Sequence, residues 1–186
     1  MSKIFIGFLF VFLNLSFKLD DTHVINLLPD FIGFMLLYLG TRELREESRR
    51  YTTAAPWLLV LTAYGIACWL MKLLGIDGGW VTSLLELVAA GVTYYATWLV
   101  IKGFEDIENN NSVEIAASGS MRSWRICAIL NIVAVALSWV PVVGVLLLLG
   151  MVVVTIMLLA SLNKTRKLYE AFRMIKPRSG NRGPEF

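Results

Sequence analysis

Residues 26–40 read "NLLPDFIGFMLLYLG". The run is apolar enough to enter a bilayer, except that Pro29 and Asp30 stand side by side near its start. Proline removes a backbone donor, and a carboxylate in hydrocarbon is expensive. The pair therefore reads as helix punctuation, a chemical site, or both. Pro29 suits a first helical position, and a carboxylate there complements the helix dipole. The expectation is a second helix that begins at Pro29, with residues 24–28 irregular or kinked.

Working outward, the rest of the chain has the same character. Its 186 residues are 57% hydrophobic with a mean hydropathy of +0.67, above the roughly 45–50% apolar content of soluble domains. Apolar runs lie at 4–19, 24–41, 56–75, 79–103, 124–140 and 141–163, several near the ~20 residues that cross hydrocarbon. Pro141 in "SWVPVVG" splits residues 124–163 into a hairpin, acting as the first residue of a new helix. The fold expected is an all-α integral membrane protein, a six-transmembrane-helix bundle forming one domain over 1–176. Residues 177–186 read as a disordered tail, in part an expression remnant.

Lysine and arginine orient the bundle. With the N-terminus inside, 15 of the 17 basic residues fall on the cytoplasmic side, and only Lys18 and Lys72 on the other. Both termini are then cytoplasmic, and a bacterial plasma membrane, crossed several times, is the expected location. Residues 4–17 lack a small-x-small cleavage site and read as a retained span. Trp57, Trp98 and Trp124 would mark the inner interface, with Trp69, Trp80 and Trp139 toward the outer one. "TRELREESRR" reads as a continuation of the second helix, with Arg42–Glu46 and Glu46–Arg50 at i, i+4. "FEDIENNNSVEIAASGSMR" reads as a flexible polar loop. "NKTRKLYEAFRMIK" reads as an extension of the last helix toward anionic headgroups.

Spacings of three and four gather small and polar residues on single faces, as membrane helix packing requires. Asn26, Asp30, Gly33, Leu37 and Gly40 share one. Ser83, Glu86, Ala90, Thr93 and Thr97 share another, and Cys127 and Asn131 a third. Gly65, Cys68 and Lys72 form a fourth, and Gly7 offers a small position in the first span. Among these, Asp30, Glu86 and Lys72 are ionisable and fall at similar depth. With Asn26 and Ser83 they form the candidate substrate- or ion-binding set, an outward-facing polar site between spans two, three and four. Cys68 and Cys127 read as free thiols at depths about 13 Å apart along the membrane normal. His23 reads as a loop residue. "PDFIGFMLLYLG" and "PVVGVLLLLG" form a weak internal echo of proline and two glycines.

Catalytic motifs are absent. One histidine excludes two-His metal sites, and no nucleophile elbow, phosphate loop or paired-Cys motif occurs. No cofactor, metal or nucleic-acid partner is implied. Over Leu28–Gly33 the sequence resembles small, uncharacterised polytopic membrane proteins of Gram-positive bacteria, which implies no activity. Its size, span count and inside termini also look like the vitamin-binding subunits of energy-coupling-factor transporters. Those subunits carry a small-residue motif in the first helix, of which "IFIGFLFVFLNL" offers Gly7 and little else, a departure that counts against that reading. A small-solute or ion transporter or binding protein is the leading expectation, its partners being the bilayer and a small solute, proton or cation. A non-catalytic membrane subunit with a partner protein or second copy is the alternative. An intramembrane enzyme pairing Asp30 with Glu86 comes third.

Overall fold

The computed structural model describes residues 1–12, 16–20, 23–26, 29–75, 79–136 and 141–175. Among the described residues six helices follow one another: α1 (Ser2–Phe12), α2 (Asp30–Glu43), α3 (Arg49–Leu73), α4 (Gly79–Asn111), α5 (Ala117–Ala136) and α6 (Pro141–Ile175). Each packs on the next, and α1 also meets α6, closing the bundle into a ring. Among the described residues, α3, α4 and α6 contain stretches long and apolar enough to cross a membrane. Large apolar side chains stand on the outside, Trp80 at 77% exposure and Ile132 at 67%. Such a surface fits lipid, not water. The architecture is that of a helical membrane protein.

Between α1 and α2 the expected helical spans give way to strands. β1 (Ser16–Asp20) pairs antiparallel with β2 (His23–Asn26), in the register Ser16↔Asn26, Phe17↔Ile25 and Lys18↔Val24. The first span therefore stops at Phe12 instead of continuing to residue 19. The alternation in "SFKLD" and the β-branched pair in "HVIN" carry that preference. α2 does begin beside Pro29, whose extended backbone (φ −63°, ψ 126°) precedes Asp30 in the first turn.

Only the first three residues of "TRELREESRR" extend α2. That helix ends at Glu43, a turn covers 44–47, and Ser48 starts α3. The Ser48 Oγ accepts the Arg50 N–H at 3.1 Å, satisfying one of the open donors at the helix start. Ser48 Oγ also donates to Asp106 Oδ2 at 2.5 Å, and Arg50 Nε reaches both oxygens of Asp106 at 3.1 and 2.9 Å. Arg42 and Arg50 thus lie on different helices and do not share the expected i, i+4 face with Glu46. Pro56 sits inside α3, where one backbone hydrogen bond is forgone.

The expected polar loop after residue 103 is also shorter. α4 continues to Asn111, buries Phe104 and Ile107, and carries a Lys102–Glu105 pair at 2.6 Å. The chain reverses through Ser112 (φ 51°) and Ala116 (φ 59°). There Glu108 Oε1 accepts the N–H groups of Ile115 (2.7 Å) and Ala117 (3.0 Å). A carboxylate at the start of α5 suits that helix's dipole. Pro141 opens α6, and "NKTRKLYEAFR" continues it as expected.

Burial is concentrated at the end of the ring that carries most of the basic residues. Ile4, Phe8, Leu37, Tyr51, Leu58, Ile101, Phe104 and Leu158 are all at most 2% exposed. Here α1 crosses α2 through glycines. A Cβ on Gly7 would stand 2.9 Å from the Gly33 carbonyl oxygen, and one on Gly40 would stand 3.0 Å from the Ile4 nitrogen. Lys3 pairs with Glu43, and Ser2 bonds Glu170 at 2.9 Å, tying α1 to α2 and α6. Trp124 is half-buried and donates from Nε1 to Thr97 Oγ1 at 3.1 Å.

One buried group is costly. The Tyr51 ring covers Gly103, and its hydroxyl has no hydrogen-bond partner among the described residues. An unmet buried hydroxyl costs about 1–3 kcal/mol. Tyr51→Phe is therefore expected to stabilise the protein by about 1 kcal/mol, read as a higher midpoint of thermal unfolding in detergent. A lower midpoint would show that the hydroxyl is satisfied.

Candidate functional site

Toward the end remote from this core, the helices enclose a cavity of about 450 Å³. All six contribute to its wall. α1 brings Val11 and Phe12; α2 brings Asp30, Phe31 and Phe34; α3 brings Leu61, Tyr64, Gly65, Cys68 and Trp69. α4 adds Glu86, Ala89, Ala90, Thr93 and Tyr94, α5 adds Cys127 and Asn131, and α6 adds Met151 and Thr155. The volume falls within the range of about 300–1,000 Å³ usual for small-molecule sites.

The local reasons for this geometry are visible in the sequence. Pro29 ends the extended segment and starts α2, so Asp30 projects from the first turn, half-buried at the cavity wall. Gly65 of α3 lets Phe31 approach closely: a Cβ there would sit 3.0 Å from the Phe31 Cβ and 3.3 Å from its Cα. Phe31 then meets Trp69 edge to face, with ring centroids 6.0 Å apart. On α4, Glu86, Ala90 and Thr93 recur at helical spacing on the cavity side, with small Ala89 and Ala90 leaving room beside the carboxylate. Tyr94 forms the aromatic junction, its ring centroid 6.4 Å from Phe12 and 6.2 Å from Trp124.

Asp30 and Glu86 line this same cavity, the former half-buried and the latter exposed along α4. Ser83 is exposed on α4 and is not among the lining residues. Asn26 belongs to β2, not to the helix that presents Asp30, so the proposed helical face of Asn26 and Asp30 does not form. Lys72 lies in α3, one turn beyond Cys68; its side chain is outside the described residues. Cys68 and Cys127 are both free, and both line the cavity.

The sequence reading placed the site among spans two, three and four, whereas α1, α5 and α6 also contribute. Asn131 Nδ2 lies 3.8 Å from the Met151 sulfur across the α5–α6 seam, and Thr155 follows Met151 by one turn. The i, i+4 pair Met151 and Thr155 was a readable signal on α6, as was Cys127–Asn131 on α5. Among the described residues, no group of three His, Cys, Asp or Glu side chains could hold a metal ion.

The wall offers carboxylates, hydroxyls, an amide and aromatic faces within an apolar enclosure. It can bind and desolvate a small molecule, and its carboxylates can hold a cation or carry a proton. Neither family models, nor curated proteins, nor solved structures yielded a match to this chain. Function therefore rests on the cavity itself.

Proposed function

We propose that the protein is a multi-pass transporter or binding protein for a small solute or ion, with six spans and both termini in the cytoplasm. The observation that carries this reading is one cavity of about 450 Å³ walled by all six helices and bordered by two acidic side chains. Acidic residues within membrane-embedded helices are expensive, and their usual compensation is a role in a solute or proton path. The concentration of lysine and arginine at the opposite end supports a cytoplasmic position for that end and an outer-facing cavity. The bacterial plasma membrane is the corresponding location.

The non-catalytic subunit is the second reading, and one observation weakens it. Gly7, the small residue that would dock a first helix on a partner, is buried against Gly33 and Leu37 of the same chain. Docking through that position would require α1 to leave α2.

Orientation and access can be tested together. In intact cells, a membrane-impermeant cationic thiosulfonate is expected to modify Cys68, in a Cys127→Ala background, and a cysteine placed at Asp77. A cysteine at Glu114, exposed between α4 and α5, should react only after permeabilisation. Reaction at Glu114→Cys from outside would overturn the orientation. A Cys68 that reacts only after permeabilisation would overturn the outward-opening cavity.

A further inference from the structure

We propose that a groove between α4 and α5, at the end of the ring that holds the buried core, binds the headgroup of an anionic phospholipid. The site is separate from the cavity and stands whether or not the cavity takes a solute.

The groove has a volume of about 480 Å³. Glu105 of α4 lines it, together with Ser118, Arg122, Arg125, Ile126 and Ile129 of α5. Ser118, Arg122, Arg125 and Ile129 follow one another at spacings of four, three and four, so they form one stripe along the helix. The stripe changes character with distance from the α4–α5 turn. A hydroxyl comes first and two guanidiniums follow. Then come Ile126 and Ile129, which are 40% and 63% exposed. From Ser118 to Ile129 the stripe covers about 16 Å at 1.5 Å per residue. A glycerophospholipid presents the complementary order: a hydrogen-bonding headgroup, a phosphodiester, then acyl chains.

Charge sets the class of headgroup. The Glu105 carboxylate accepts from Lys102 Nζ at 2.6 Å, so a lysine of its own helix balances it. Arg122 and Arg125, both exposed, bring two further positive charges to the groove. A guanidinium offers phosphate oxygens a planar fork of donors and sheds water more readily than an ammonium does. Basic pockets between membrane helices are sites where acidic headgroups bind. The apolar end of the stripe commits the site to a lipid. Ile129 lies one turn beyond Arg125, about 6 Å farther along the axis. A free phosphate makes no use of it, whereas a lipid with its phosphate at Arg125 lays an acyl chain across it.

The test uses the full chain in detergent, with phosphatidylglycerol, phosphatidylcholine, glycerol phosphate and inorganic phosphate as probes. Retained lipid is read by native mass spectrometry, and all four probes by the shift in thermal unfolding. Phosphatidylglycerol should be retained at least tenfold more strongly than phosphatidylcholine, and neither soluble phosphate should stabilise the protein. Arg122→Gln combined with Arg125→Gln should abolish the preference while circular dichroism and elution volume stay unchanged. Arg122→Lys with Arg125→Lys, which keeps the charge and removes the fork, should weaken retention in part. Lys164→Gln with Lys167→Gln removes the same charge from exposed positions on α6 and should leave the preference intact. Equal retention of phosphatidylcholine, or an equal loss in the α6 variant, would overturn the site, since attraction would then be general to the basic end. Unchanged retention in both arginine variants would place the lipid elsewhere and overturn it too. Stabilisation by either soluble phosphate that the arginine substitutions remove would overturn the lipid assignment in favour of a soluble anion.

Discussion

Gly33→Leu is expected to abolish the folded state of this protein in detergent. A Cβ at Gly33 would already lie 3.0 Å from the Gly7 carbonyl oxygen, 2.9 Å from the Phe10 Cβ and 2.8 Å from a Val11 methyl. Several of these neighbours cannot rotate away, because the crossing brings backbone against backbone. Overpacking alone costs about 1–3 kcal/mol where side chains can adjust. Here α1 must separate from α2, which also exposes Ile4 and Leu37 and strains the Lys3–Glu43 pair. Gly91 supplies the control. Nothing stands within 4 Å of a Cβ built there, so Gly91→Ala should be tolerated or stabilise slightly, since alanine favours a helix over glycine by up to about 1 kcal/mol. Size-exclusion profiles and thermal unfolding of the two variants should diverge sharply. A Gly33→Leu protein that elutes and melts like the parent would show that α1 does not cross α2 in this way.

Glu86→Gln is expected to reduce solute uptake into proteoliposomes at least tenfold while leaving the fold intact. The side chain is exposed along α4 and borders the cavity, so its replacement by an isosteric amide removes charge without opening a void. A tenfold loss corresponds to about 1.4 kcal/mol of interaction, modest for a carboxylate at a solute site near hydrocarbon. Asp30→Asn should act in the same direction with an added cost to folding, because Asp30 also occupies the first turn of α2. A fully active Glu86→Gln protein would return both residues to helix packing and initiation.

The chain announces its proline-led helices plainly. Pro29 and Pro141 could start helices at no cost, and α2 and α6 begin beside them. The faces carrying Glu86, Ala90 and Thr93, or Cys127 and Asn131, could be read because helical spacing is set by backbone geometry. Ser48 was a missed cap: within a run of charged residues its capping role is hidden until Asp106 arrives from α4. Residues 16–19 and 24–26 fall within the apolar runs 4–19 and 24–41, and only the alternation in "SFKLD" and the β-branched pair in "HVIN" point to strands. The contribution of Phe12 to the cavity was harder still. An apolar side chain has the same pattern whether it faces lipid or a neighbouring helix, and the meeting of α1 with α6 that closes the ring joins segments far apart in sequence.

The uneven packing of α4 has a mechanical meaning. Its lower part, with Ala96, Val100, Ile101 and Phe104 at most 2% exposed, is clamped in the core, while Trp80, Leu84 and Leu87 beyond it are at least half exposed. The helix is therefore a cantilever. From Val88 to Trp80 the exposed arm is about 12 Å long at 1.5 Å per residue. A tilt of about 10° at its base swings the tip by roughly 2 Å. Glu86 rides on that arm, and Asp30 does not. Bending α4 thus changes the spacing of the two acidic groups.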